Sequence, residues 1–279
     1  MIECKIFTKT NYTEWENFID NSTNGTLFHY RKFIDYHKNP PFTDCSLLFY
    51  KKNKIIAVLP AAIKDDQFIS HPGTSFGSFI YNSHLSYSDA SNIMAAFKIF
   101  IDQNNYEKII ITLTPDYYNE SISHYIEFCL YQLSFKYLRL ELSSIVDLNK
   151  NIDDVFLNFK AENRRAIRKA KKEKISIERS DKYDEFYSIL KKNLKLRHNV
   201  EPTHTIKEIE KIKELFPDQI DLFTAEYNNR VIAGVINFIC NEQTILAFYI
   251  SHKSDFQNFR PLNIIFSNIF QWAIANHYK

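Results

Sequence analysis

The chain has 279 residues, 45% apolar and 24% charged, a balance that describes a folded globular protein and excludes a disordered one. A net charge of +2 gives no global attraction for nucleic acid, so any anion site must be local. The four cysteines make no CxxC pair, which argues against a zinc site and a disulfide framework, so no metal is expected.

The start MIECKIF mixes acidic and basic residues and does not read as a signal peptide. No apolar window is long enough to span a membrane. Together these features predict a cytoplasmic protein.

Hydrophobic periodicity predicts a short strand at residues 4–7 and short helices at 13–20 and 30–37. Strands at 46–50 and 54–63 are joined by Lys51-Lys52-Asn53, and 67–70 continues the sheet. Asp89 is placed to cap a helix running to Gln103. A buried strand follows at 108–113, a helix at 121–132 and a strand at 137–142.

The second half repeats much of this order. A strand at 175–178 is followed by helices at 181–197, capped by Asp181, and at 205–214. Strands at 221–227 and 231–240 are joined by Asn228-Asn229-Arg230, and a third lies at 243–251. A helix then starts at Pro261, where the missing N–H costs nothing. Two successive modules are expected, 1–150 and 151–279, of α+β (mixed α/β) class. Relative to the first copy, the second lacks a closing helix and strands, so it reads as C-terminally incomplete. Its unfinished sheet edge is a candidate for self-association.

Residues 151–174 carry the strongest local signal. On one helix, Val155, Phe156, Phe159, Ala166, Ile167 and Ala170 share a sector that also contains Asn163. Seven of the eleven residues from Arg164 to Lys174 are basic. Such density repels itself unless an anion comes near, and Arg164 and Arg168, four apart, can serve one phosphate. A solvated face on a connecting helix is the competing reading.

Phe159-Lys160-Ala161-Glu162-Asn163-Arg164-Arg165-Ala166-Ile167-Arg168-Lys169-Ala170, followed by Ile175-Ser176-Ile177, resembles the entry to the second module of FemABX-like proteins. Those proteins are tandem modules of the GNAT type. Leu27-Phe28-His29-Tyr30, residues 230–240 and 245–251, Arg260-Pro261-Leu262-Asn263 and Trp272-Ala273 are also similar, so the resemblance covers most of the chain. It implies transfer of an acyl or aminoacyl group to an amine, often on a nucleotide-linked envelope precursor. The co-substrate would be acyl-CoA or another acyl-thioester, or alternatively aminoacyl-tRNA. The acceptor would be a small or nucleotide-linked molecule. The first module would serve the acceptor and the second the donor.

GNAT chemistry needs an activated acyl donor, a deprotonated amine and donors for the oxyanion, so no nucleophilic triad is required. The resemblance places Tyr249 and His252 at the end of a strand lining the donor site. There Tyr249 would protonate the leaving group. The glycine-rich phosphate loop of single-domain GNAT proteins is missing. Arg260 and Asn263, at the start of the last helix, stand in its place, and the free N–H groups of that helix can receive an anion. The loop 70–78 holds two of the four glycines, and His71 and Ser75 are its candidate acceptor contacts. His198, at the end of a predicted helix, is a further substrate candidate. No coiled-coil arm of the kind found in many aminoacyl-tRNA-dependent members is visible, which favours the thioester reading. A non-catalytic protein that binds a glycan precursor is the third reading.

Overall fold

A computed structural model of the chain describes residues 2–36 and 42–279. The predicted helix at 30–37 is reduced to one turn within this range, and His37 lies outside the described residues. The chain divides into two compact units, Met1–Ser143 and Ser144–Lys279.

The first unit opens with β1 (Ile2–Ile6), α1 (Tyr12–Asp20) and α2 (Arg31–Ile34). Then come β2 (Thr43–Asp44), β3 (Leu47–Lys51), β4 (Lys54–Leu59), β5 (Ala62–Lys64), β6 (Gln67–Ser70) and β7 (Ile80–Tyr81). It closes with α3 (Tyr87–Asn104), β8 (Lys108–Ile111) and α4 (Tyr125–Gln132).

Two four-stranded sheets result, ordered β1-β3-β4-β7 and β2-β5-β6-β8. The predicted strand 54–63 is therefore two strands in different sheets. Pro60, which has no N–H for a ladder, lies at the break. Residues 67–70 likewise continue the second sheet, not the first.

Alternation along β3 sends Leu47 and Phe49 into one core with Phe79 and Phe97, and Leu48 into another with Trp15 and Phe7. The buried Arg31 lies over the Phe7 ring at 4.0 Å. It pairs with Asp35 and Asp44, so the interior charge is not left alone.

β6 and β8 run parallel, with Ser70 opposite Ile111. The backbone N–H groups of Gly77 and Ser78 both donate to the carbonyl of Thr112, and Thr112 N–H donates to Ser70 Oγ at 3.1 Å. The loop 71–78 is thus stitched across the end of the pair. A Cβ on Gly77 would lie 2.4 Å from the backbone nitrogen of His71, so only glycine fits there.

Three further expectations for this unit are corrected. Ser86, not Asp89, caps α3: its Oγ accepts from Asp89 N–H at 3.1 Å, while the Asp89 carboxylate takes Lys51 Nζ. The helix predicted at 121–132 begins only at Tyr125. Residues 137–142 form no strand, and Leu138, Leu140 and Leu142 are exposed.

The second unit contains α5 (Ile152–Leu157), α6 (Ala161–Ala170), β9 (Ile175–Arg179), α7 (Tyr183–His198) and α8 (Ile206–Leu215). β10 (Ile220–Tyr227), β11 (Arg230–Ile239), β12 (Ile245–His252) and α9 (Pro261–Ala275) follow. Its strands form one antiparallel sheet ordered β12-β11-β10-β9.

Gly234 on β11 admits α7: a Cβ there would meet Phe186 at 2.4 Å. On the opposite face Val235 packs with Ile265 and Ile269 of α9. Asp181 does not cap α7 with its side chain; its backbone carbonyl accepts from Tyr183 N–H. The single helix expected from residue 151 breaks at 158–160 into α5 and α6. The break resets the helical phase, so Asn163 is exposed while Ile167 and Ala170 remain buried.

Candidate functional site

The end of β12 is built by a local irregularity. Ile236 pairs with Tyr249 and Asn237 with Ala247, so Phe248 is an extra residue on β12. Such a bulge re-aims neighbouring side chains. Here Phe248 and Tyr249 both turn to His204, with ring centroids at 5.5 and 6.0 Å. Phe248 also stacks on Phe238 at 4.5 Å.

His204 precedes the Thr205–Glu208 capping box that starts α8. Its backbone N–H donates to Tyr249 Oη at 3.1 Å, and its Nδ1 lies 2.8 Å from the same oxygen. Tyr187 Oη donates to the His204 carbonyl at 3.1 Å. Burial pushes the Tyr249 hydroxyl pKa up, so it stays protonated and can act as an acid.

His252 ends the same strand, half-buried. Burial first, and the positive charge of Arg197 second, push its pKa below the ordinary value. A neutral imidazole is what a general base requires. Asn193 of α7 donates to the His252 carbonyl and to Ser251 Oγ, fixing the strand end.

A turn at 254–259 then leads to α9. Arg260 sits at its N-cap with φ 55° and ψ 46°, a left-handed conformation unusual for arginine. It is exposed, and its carbonyl accepts from Asn263 N–H at 3.1 Å. Pro261 opens the helix, leaving its first N–H groups free of a side-chain cap.

The basic helix α6 borders an open depression of about 580 Å³ walled by Arg165, Arg168, Lys169, Lys171 and Lys172. Arg168 is thus where an anion would meet it. Arg164 turns away and donates to the Leu157 carbonyl at 3.3 Å. The two arginines that the sequence pairs on one phosphate therefore separate. Arg165 and three lysines take the place given to Arg164.

The remaining candidates are dispersed. His198 is exposed in the last turn of α7. In the first unit Ser75 is exposed, whereas His71 is buried at 4% exposure, its ring edge-on to Phe42 at 5.1 Å. His29 is fully buried there, and desolvation pulls its pKa down to about 3. The sequence reading missed His204, Asn193 and Arg197. Of these, only His204 had a visible signal, the Thr-x-x-Glu capping box beside it. Among the described residues no group of His, Cys, Asp or Glu could hold a metal ion, and no helix is long and apolar enough to cross a membrane.

The strand end thus carries a buried tyrosine hydroxyl and a half-buried imidazole, and the helix that follows starts without a side-chain cap. Residues 158–279 match the family model described as an acetyltransferase (GNAT) domain. The whole chain is similar to the crystal structure of FemX, with TM-score 0.68 and 15% identity over 99% of this chain and 87% of that one. It is also similar to the C-terminal domain (DUF2156) of a putative lysylphosphatidylglycerol synthetase from Agrobacterium fabrum. That match has TM-score 0.55 and 10% identity over 98% of this chain and 77% of that chain. No curated protein matches the sequence. The second unit is an acyltransferase domain of the GNAT superfamily, and the protein is a transferase. The fold of the whole chain is like that of FemX.

Proposed function

We propose that the protein is an N-acyltransferase that moves an acyl group from acyl-CoA, or a similar thioester, to the amine of a phosphate-bearing cell-envelope or nucleotide-sugar precursor. The observation that carries the reading is the pairing of a GNAT domain with the five-cation depression beside α6. The depression suits a pyrophosphate better than a neutral acceptor, because guanidinium forks match phosphate oxygens.

In this reading the amine attacks the thioester carbonyl while neutral His252 takes its proton. The tetrahedral intermediate collapses, and Tyr249 protonates the departing thiolate. Arg260 and the N–H groups at the start of α9 bind the donor's phosphates. Its left-handed backbone supports a functional role, since strain of this kind persists where the fold needs it. Ser75 serves as an acceptor contact in the first unit and Ser144–Lys279 forms the donor unit. His198, exposed in the last turn of α7, keeps a place at the substrate margin, whereas His71 is buried.

The second reading is transfer from aminoacyl-tRNA, which the density of cations along α6 favours. Thermal-shift measurements with coenzyme A, acetyl-CoA, UDP-linked amino sugars and aminoacyl-tRNA separate the two. Stabilisation grows with ligand excess, by about 2.7 kcal/mol at a hundredfold excess over Kd. A shift with acetyl-CoA and the UDP sugar is expected. Silence with every coenzyme A species, together with a response to aminoacyl-tRNA, replaces the first reading by the second. Binding of the UDP sugar without turnover of any donor would mark a non-catalytic glycan-precursor binder.

A further inference from the structure

Asp221 on β10 and Asn237 on β11 stand directly opposite one another. Opposed residues of an antiparallel pair project from the same face, with Cβ atoms about 4.5–5.5 Å apart. Here that face is the one covered by α9. Phe223, two residues on from Asp221, packs against Trp272 of that helix. Val235, two residues before Asn237, packs with Ile265 and Ile269.

Both polar side chains are enclosed. Asn237 is fully buried and Asp221 is 5% exposed. Asp221 gives Oδ1 to Arg179 of β9, whose guanidinium lies over the Trp272 ring at 5.0 Å. Its other oxygen, Oδ2, has no hydrogen-bond partner among the described residues. The same holds for both Oδ1 and Nδ2 of Asn237. Two facing residues therefore carry three buried polar atoms that the surrounding side chains and backbone do not satisfy.

Leaving such atoms without partners is strongly unfavourable, most of all for the carboxylate. Buried polar atoms of folded proteins are bonded to protein or to ordered water, and a buried water makes about three hydrogen bonds. A cation does not suit this pair. Hard cations take about six or more oxygen ligands, whereas two oxygens stand unengaged here beside an N–H donor. Arg179 already neutralises the carboxylate.

We propose that Asp221 and Asn237 form a buried hydration site, in which an ordered water accepts from Asn237 Nδ2 and donates to Asp221 Oδ2. Asn237 Oδ1 takes its donor from the same water or from one bonded to it. The β12 neighbour of Asn237 is Ala247, whose single methyl group leaves room beside the amide, and the ladder opens just beyond it at Phe248. The water completes the solvation of a carboxylate that Arg179 holds by one oxygen only. This is how an acidic residue stands between sheet and helix, among Phe223, Val235 and Trp272. The site lies in the sheet interior and is independent of the acyl-transfer reading.

The test uses the full wild-type chain labelled with ¹⁵N-asparagine, the Asn237 side-chain amide being assigned through its own backbone. Water cross-peaks to that amide are expected, opposite in sign between laboratory-frame and rotating-frame Overhauser spectra, the mark of bound water. Absent cross-peaks, or the sign pattern of bulk solvent, overturn the proposal. A crystal structure that resolves ordered water should show a water within hydrogen-bonding distance of both Asn237 Nδ2 and Asp221 Oδ2. An Asn237 amide bonded directly to Asp221, with no water between them, overturns it as well. In Asn237→Leu the water should be lost while the Arg179–Asp221 pair stays. A water kept on Asp221 in that variant would remove Asn237 from the site. If Asn237→Leu does not fold, the two wild-type measurements still decide.

Discussion

The side-chain amide of Asn193, on α7, donates to Ser251 Oγ and to the His252 carbonyl, both at 2.7 Å. One amide thereby ties a helix to the end of an edge strand, beside the proposed base. Asn193→Ala leaves the Ser251 and His252 acceptors without their donor. A loss of about 1–3 kcal/mol in unfolding free energy is expected by denaturant titration. A loss of kcat larger than the stability change explains would show that the clamp also sets the position of His252.

Arg197 adds to burial in lowering the pKa of His252. The neutral base is lost as pH falls through that lowered value, so the acid limb of the rate profile should lie below the usual histidine value of 6.5. Arg197→Gln removes the like charge and is expected to move that limb to higher pH. An unchanged limb would mean that His252 is not the base.

The depression beside α6 makes an asymmetric prediction about two neighbouring arginines. Arg168→Ala or Arg165→Ala should weaken binding of inorganic pyrophosphate about tenfold at low salt, as expected for a charge-assisted contact. Arg164→Ala should change it far less, because its guanidinium is committed to Leu157. Isothermal titration of the three variants checks this. Equal losses would return Arg164 to the site.

Arg260 occupies a backbone conformation that glycine adopts without penalty. Arg260→Gly should therefore raise thermal stability modestly, by about 0.5–1 kcal/mol, while weakening coenzyme A binding. A variant that is stabilised and binds coenzyme A normally would remove Arg260 from the donor site.

His29 gives a pH signature of folding. Its pKa of about 3 in the folded chain lies below the ordinary 6.5, so the unfolded chain binds the extra proton between these values. Its contribution to stability is complete above about pH 6.5 and is lost as pH falls toward 3. Urea titrations across this window should show stability falling less steeply in His29→Gln than in wild type. Identical slopes would show that His29 does not take part in acid unfolding.

Most strands and helices of both units were legible because their apolar periodicity is strong, as in 108–111 and 231–239. Where the reading failed, a local contest decided. Pro60 split one apparent strand between two sheets. The break at 158–160 split the basic helix and moved Asn163 to the surface. Residues 137–142 alternate Leu138, Leu140 and Leu142 like a strand, yet no strand of the described residues pairs with them. Ser86 displaced Asp89 as a cap because the helix began three residues earlier.

Composition and pattern determined the fold class, the tandem order of elements and the basic stretch on α6, since these depend on which residue types recur along the chain. Which side chains share a site was decided only by folding. Tyr249 and His204 are 45 positions apart and meet through a one-residue bulge and a capped helix start. Arg164 and Arg165 are adjacent in sequence but point to different partners, because one position along a helix is a turn of about 100°.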